Sequence, residues 1–324
     1  MKINIIELGG TISCASILPT SEFYSGPTLS VSSIVTELAM DQIDIQVDTF
    51  SQKISHEITL EDMLALAKRL QSIIESDRCD GVVITTGTNA IEDIAYFVGL
   101  TVKTEKPIVF TGAHFPNNSL FFDGKKNLYN AIKIASSYEA NKLGVLVTFN
   151  DYVVTARDAS KTKAGLQDNF TCEGDGIVGH VIGGKFKIKA IPTYRHTYQS
   201  EFNINEICSL KKISIIYAHL GMDDLFIRAS ISANISGIVS AGFGKGYQSK
   251  SVTSALFNAA NLGIPVVRCS RTGIAYTSTD FAYDDKYGFI VAKGLSPHKS
   301  SVLLSLSLTI GSDLEWLRQV FEAY

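Results

Sequence analysis

No stretch of the sequence approaches the roughly 18 consecutive apolar residues that a transmembrane helix needs, so no membrane partner is expected. The N-terminus, MKINIIELGG, runs directly into a strand-like segment without the apolar core of a targeting peptide, and a cytoplasmic location is the expectation. Cysteine is scarce: five residues, at 14, 79, 172, 208 and 269, with no C-x-x-C pair. An odd, scattered set excludes a disulfide framework or a cysteine-rich zinc site and suits a reducing compartment. The six histidines show no metal-ligand spacing. Excess positive charge is missing too. Lys and Arg number 29 against 32 Asp and Glu, a net charge of −3, and the basic residues are scattered, with KK pairs at 125–126 and 211–212 but no long run. No nucleic-acid partner is therefore expected. Also absent are a G-x-S-x-G elbow and a true G-x-G-x-x-G loop, since Gly242-Phe243-Gly244-Lys245-Gly246 has the wrong spacing.

What is present is a 324-residue chain, 45% hydrophobic and 19% charged, long enough for one large or two ordinary domains. Short continuous apolar runs recur at 3–8, 81–86, 107–112, 144–149, 213–218, 237–242 and 264–269. Continuous runs predict strands buried on both faces, as in a parallel sheet. Between them lie helical patterns. In 60–75 apolar residues fall at 60, 63, 64, 66, 70, 73 and 74, close to a 3.6-residue period, with Thr59 placed to cap. Alternating strands and helices predict a doubly wound α/β fold. The polar, aperiodic segment 188–212, which holds Pro192, reads as a linker between an N-terminal domain (1–187) and a smaller C-terminal α/β domain (213–324).

Ligands of open α/β sheets bind beyond the carboxyl ends of the strands, so the loops after 8, 86, 112 and 149 are where chemistry is to be sought. Leu8-Gly9-Gly10-Thr11 puts a hydroxyl behind two conformationally free glycines. Thr86-Gly87-Thr88-Asn89 follows a buried strand and opens a helix, where backbone amides can hold an oxyanion. On residue type alone Thr88 and Asn89 serve equally as helix caps. Arg157-Asp158-Ala159-Ser160-Lys161 offers a lysine that is either a solvated surface charge or, inside a cleft, a base of lowered pKa.

Taken together these loops resemble the bacterial-type L-asparaginase family of threonine amidohydrolases. The strand followed by L-G-G-T-I-S is similar to that family's T-G-G-T-I-A signature, and Thr11 takes the place of its nucleophile. Tyr24 in EFYSG matches the tyrosine that assists the nucleophile, and Ser51-Gln52 the pair that holds the substrate's α-carboxylate and α-amine. Residues 86–94, TGTNAIEDI, align with H-G-T-D-T-x-E-E-T, which puts Thr88 on the second catalytic threonine. TGAHFP (111–116) sets Ala113 near the scissile amide, DGKKNLYNA (123–131) follows, and VTARDASKTK (154–163) sets Lys161 on the catalytic lysine. The C-terminal stretch 284–308 follows the family as well. The resemblance spans nearly the whole chain. It implies a larger N-terminal and a smaller C-terminal α/β domain, and a small-molecule amide substrate. It also implies a homodimer or homotetramer with sites at the dimer interface, and no metal or cofactor.

Departures cluster in one corner of the implied site. Asn89 replaces an aspartate that pairs with the lysine and binds the substrate's α-ammonium. Ala282 replaces a neighbouring-subunit glutamate, on an alignment with a one-residue gap nearby, and Tyr247 replaces an asparagine. Thr86 and Ala90 stand for a histidine and a threonine. Thr11, Tyr24, Ser51, Thr88 and Lys161 keep the family's pattern, as do Gly10 and Gly87 of the substrate-binding loops. The expectation is an amidohydrolase with a threonine nucleophile whose substrate is an asparagine-like, N-substituted or peptide-like amide rather than free asparagine. An ordinary L-asparaginase of weak activity, an acyl transferase or cyclase, and a catalytically silent binding protein stand as alternatives.

Overall fold

Each of the continuous apolar runs becomes a strand in the computed structural model, which describes residues 1–20, 24, 26–38, 40, 42–165, 170–171, 176–272 and 276–324. Cys172 lies outside the described residues. The chain divides into two units, Met1–Asn205 and Glu206–Tyr324, and this boundary falls inside the segment read as a linker. The first half of that segment is less of a linker than its polarity predicts. Phe202 and Ile204 are fully buried, and Ser200 Oγ donates to the Leu100 carbonyl at 2.5 Å. Its only regular structure is single 3-10 turns such as Thr197–Gln199, too short to leave a periodic signal.

In the first unit, strands β1 (Lys2–Gly9), β2 (Asp44–Lys53), β3 (Gly81–Thr85), β4 (Ile108–Thr111) and β5 (Val145–Phe149) are parallel. β6 (Tyr152–Thr155) turns back antiparallel. A short ribbon of β7 (Ser160–Lys161) and β8 (Phe170–Thr171) precedes the antiparallel pair β9 (Ile177–Ile182) and β10 (Lys185–Ile188). The eight-stranded order is β10-β9-β6-β5-β4-β3-β1-β2. Every residue of β3, β4 and β5 is buried, the physical counterpart of their unbroken apolar sequence. β2, at the edge, is at most half-buried along its length.

Helices α1 (Ser32–Glu37), α2 (Leu60–Glu75), α3 (Ile91–Thr101) and α4 (Gly124–Ala135) complete the unit. Thr59 caps α2 in a reciprocal box: its hydroxyl accepts from Asp62 N, and the Asp62 carboxylate accepts from Thr59 N. One core cluster gathers Ile3 and Ile5 of β1, Val83, Val109, Leu146 and the buried face of α4, Leu128 to Ala135.

The second unit is a four-stranded parallel sheet in chain order, β11 (Ile213–Tyr217), β12 (Gly237–Gly242), β13 (Val266–Ser270) and β14 (Phe289–Val291). It carries α5 (Leu225–Ser232), α6 (Lys250–Asn261), α7 (Phe281–Tyr287), α8 (Pro297–Ser307) and α9 (Leu314–Ala323). The fold class is α/β, a large mostly parallel sheet with helices and a second, smaller parallel-sheet unit.

In the first unit the chain leaves β1 to one side for β2 and to the other for β3, so the strand order reverses between β1 and β3. Such switch points open a crevice at the carboxyl ends of the flanking strands. Thr11 and Thr88 follow those two strands.

Candidate active site

Gly9 and Gly10 take φ values of 96° and 80°, the left-handed region that a side chain resists. Gly10 has a second reason to lack a side chain. A Cβ there would stand 2.1 Å from the backbone nitrogen of Gly87, so the loops after β1 and β3 touch backbone to backbone. That contact delivers the two threonines to one cavity. Its lining is Gly10, Thr11, Cys14, Tyr24, Ile54, Ser55, Gly87, Thr88, Asn89, His114, Phe115, Lys161 and Gly165, and its volume is about 180 Å³.

Thr11 is buried at the start of a 3-10 turn, and its Oγ1 lies 2.8 Å from the Tyr24 hydroxyl. Thr88 is buried as well. Lys161 Nζ donates to Thr88 Oγ1 at 2.8 Å and to Asn89 Oδ1 at 2.7 Å. The lysine's backbone N–H donates to the buried carboxylate of Glu92, at 2.5 Å, on the first turn of α3. Burial pushes the Lys161 ammonium below the ordinary lysine pKa, and the negative charge of Glu92 partly offsets this. The site thus holds two hydroxyl pairs, Thr11 with Tyr24 and Thr88 with Lys161. A lysine whose charged form is disfavoured by burial, beside a hydroxyl, is an arrangement that helps a weak nucleophile or a water lose its proton. No described residue of the lining is an Asp or Glu, and Lys161 is the charged side chain among them.

Of the residues singled out in the sequence, Gly10, Thr11, Tyr24, Gly87, Thr88, Asn89 and Lys161 meet in this cavity. Ser51 and Gln52 are outside its lining. Because β2 continues to Lys53, both are still strand residues, and Ser51 Oγ donates to the Leu8 carbonyl at 3.0 Å. The serine that reaches the cavity is Ser55, after the turn. Ala113 is fully buried within the core cluster, and its successors His114 and Phe115 do the lining. The Asp123 carboxylate fixes their loop by accepting both of their backbone N–H groups. Sequence reasoning gave no role to Glu92, Ser55, Cys14, His114 or Phe115. Glu92 was visible inside the second signature, whereas nothing in the sequence marks the Ile54–Ser55 turn.

Tyr247 and Ala282 belong to the second unit. The Tyr247 hydroxyl donates to Asp280 Oδ2 at 2.8 Å, and that hydrogen bond holds its proton above the ordinary tyrosine pKa. Ala282 sits in the first turn of α7, whose cap is the same Asp280, with Oδ1 accepting from Tyr283 N. Of the other acids on α7, Asp284 is consumed in a fully buried pair with Arg268, 2.6 Å from Nη2 and 2.7 Å from Nε, and Asp285 pairs with Arg318 at 2.9 Å.

The family profile for the N-terminal asparaginase domain matches residues 2–194, and that for the glutaminase/asparaginase C-terminal domain matches 212–321. The chain is 36% identical to L-asparaginase 2 of Escherichia coli K12, across 100% of its own length and 93% of the relative's. It is 33% identical to a glutaminase-asparaginase of Pseudomonas fluorescens biotype A, covering 100% and 90%. Among solved structures, that of a probable cytoplasmic L-asparaginase from Campylobacter jejuni superposes with a TM-score of 0.96 at 32% identity, covering 100% of this chain and 99% of that one.

Proposed function

The chain belongs to the asparaginase family and is an amidohydrolase acting on carboxamides; from that premise we propose that it uses Thr11 as nucleophile on an asparagine-like amide whose α-amine is substituted. The observation that carries this reading is the cavity's charge: Lys161 and no carboxylate among the described lining residues. A free α-ammonium entering there meets a like charge and, among the described lining residues, no acid, and a desolvated charge without a partner costs several kcal/mol. An N-acylated substrate brings a neutral amide instead.

The reaction is a two-step acyl transfer. Thr11 Oγ1 bonds to the side-chain carboxamide carbon, its proton passing along the Tyr24 hydroxyl, and the C–N bond breaks as ammonia departs with that proton. Water, deprotonated by neutral Lys161 through Thr88, then attacks the ester. The acid leaves, and Thr11 regains its proton. Two modest barriers replace one high one. A backbone donor beside Thr88 stabilises the oxyanion, worth about 3–4 kcal/mol by the precedent of other oxyanion holes. The working assembly is a homodimer or a homotetramer of two tight dimers, and the free thiols of Cys14, Cys79, Cys208 and Cys269 suit a cytoplasmic setting.

The test compares ammonia release from N-acetyl-L-asparagine and free L-asparagine. An unpaired ammonium costing about 3 kcal/mol gives a kcat/KM preference of roughly 100-fold for the acetylated substrate. Thr11→Ala abolishes release. Equal or better turnover of free asparagine refutes the substrate reading and returns the protein to an ordinary L-asparaginase. Undiminished release by Thr11→Ala refutes the nucleophile.

A further inference from the structure

A carboxylate stands in the core of the first unit where packing asks for none. Alternation along β1 puts Glu7 on the face of Ile3 and Ile5, whose core cluster also holds Val31 and Ile34. Glu7 is fully buried. Its Oε2 accepts from Val31 N at 2.8 Å and its Oε1 from Thr49 Oγ1, on β2, at 2.5 Å. Two neutral donors repay only part of what a carboxylate loses on leaving water, so an apolar side chain would serve packing better. What the carboxylate adds is a fixed position for the backbone at Val31.

The segment that returns to the core at Val31 is the one that carries Tyr24. The Ser13 carbonyl, two residues past Thr11, accepts from Thr28 N at 3.0 Å and from Leu29 N at 2.9 Å. Pro27 lies close against the same turn, since a Cβ on Gly9 would stand 3.0 Å from its Cγ. The backbone of 27–31 therefore runs beside the Gly9–Ser13 turn, tied to it at Ser13 and to β1 at Glu7. On its other side Tyr24 bridges to Ser16, which bonds three times with Asn118. Between these two anchors the Tyr24 hydroxyl meets Thr11 Oγ1 at 2.8 Å. Every one of these contacts lies within one chain. Glu7 is already shut off from solvent, so a second copy of the chain leaves its anchor as it is.

We infer that Glu7 is a positioning residue of the reaction: by holding Val31 it sets the Tyr24 hydroxyl on Thr11. The inference rests on the reading of Thr11 as a nucleophile served by Tyr24, and the experiment separates the two. Ammonia release is followed on whichever of N-acetyl-L-asparagine and free L-asparagine the parent turns over faster. kcat, KM and the urea midpoint are recorded for the parent, Tyr24→Phe, Glu7→Gln and the double variant. Tyr24→Phe is expected to lower kcat about 100-fold, the lower range for a lost proton-transfer group. Glu7→Gln turns an amide with one acceptor and one donor towards two donors. Its kcat is expected to fall about tenfold with KM within about twofold, as befits a reacting group displaced by less than about 1 Å. In the double variant the glutamine substitution is expected to add no further loss, because the hydroxyl it displaces is already gone. A loss that persists in full in the Tyr24→Phe background assigns Glu7 to the fold alone and overturns the proposal, as does an unchanged kcat. Either result leaves the nucleophile reading standing so long as Tyr24→Phe is slow. A Tyr24→Phe variant as fast as the parent overturns the tyrosine's part in the mechanism and that of Glu7 with it. Should Glu7→Gln not fold, Thr49→Val decides, since it withdraws one of the two bonds from the sheet's edge strand. A loss of about threefold in kcat is then expected, the scale of one hydrogen bond, and none beside Tyr24→Phe. An equal loss in both backgrounds, or none in either, overturns the proposal.

Discussion

Restoring a carboxylate at position 89 is the most informative single change. Asn89 Oδ1 already accepts from Lys161 Nζ at 2.7 Å, so Asn89→Asp keeps the geometry and adds only charge. On the proposed mechanism Lys161 is the base, and burial lowers its pKa, so activity of the parent is expected to rise with pH through that lowered value. An adjacent carboxylate favours the ammonium and therefore raises the pKa. A charge partner at this range moves a titration by about 1–3 pH units, or about 1.4–4 kcal/mol, and the exposure of Asn89 favours the lower end. The ascending limb of the profile of kcat/KM against pH, read by ammonia release from N-acetylasparagine, is expected to move upward by that amount. Below the limb, turnover falls about tenfold for each pH unit of displacement. Free asparagine gains over the same change, because its ammonium now finds an acid. A limb that stays in place or moves to lower pH refutes the assignment of Lys161 as the titrating base. A missing gain on free asparagine refutes the electrostatic account of substrate choice.

Glu92→Gln is expected to displace the same limb in the opposite direction, since it removes the charge that offsets the burial of Lys161; an upward or absent shift counts against Glu92 as the residue that positions and tunes the lysine. In the second unit, Asp284→Asn leaves the Arg268 guanidinium buried beside a neutral amide, and losing one partner of such a pair costs about 3–5 kcal/mol. Urea unfolding should show that loss as a lowered midpoint, and a change below about 1 kcal/mol would mean that the carbonyls of Lys245 and Ser278 suffice to hold the arginine.

Legibility in the sequence follows burial. β3, β4 and β5 are sealed on both faces, so their residues had to be apolar throughout, and the runs at 81–86, 107–112 and 144–149 announced them. β2 lies at the sheet edge, and β6, β9 and β10 form the antiparallel flank, where no continuous run is required. The threonine loops were legible as strand mouths, yet no spacing rule brings 10 against 87. That approach belongs to the strand order, in which β1 and β3 are neighbours although more than two elements separate them along the chain. Ser51 stands on β2 outside the lining and Ser55 within it because the length of β2 decides which serine clears the sheet, and a half-buried edge strand hides its own end.

The same distinction lets a chain keep a fold closely while the charge of its cavity varies. The overlap of this chain with the Campylobacter jejuni asparaginase, at a TM-score of 0.96, is set by sheet burial and by the clash that would meet any side chain at Gly10. Neither depends on the net charge of the cavity. Asparagine is nearly isosteric with aspartate, so Asn89 accepts the Lys161 hydrogen bond with its carbonyl and disturbs no packing while deleting a negative charge. Geometry and charge are separable at that position. Strand order fixes where the hydroxyls of Thr11 and Thr88 stand, and on the proposed reading the amide of Asn89 beside Lys161 decides which amine is admitted to them.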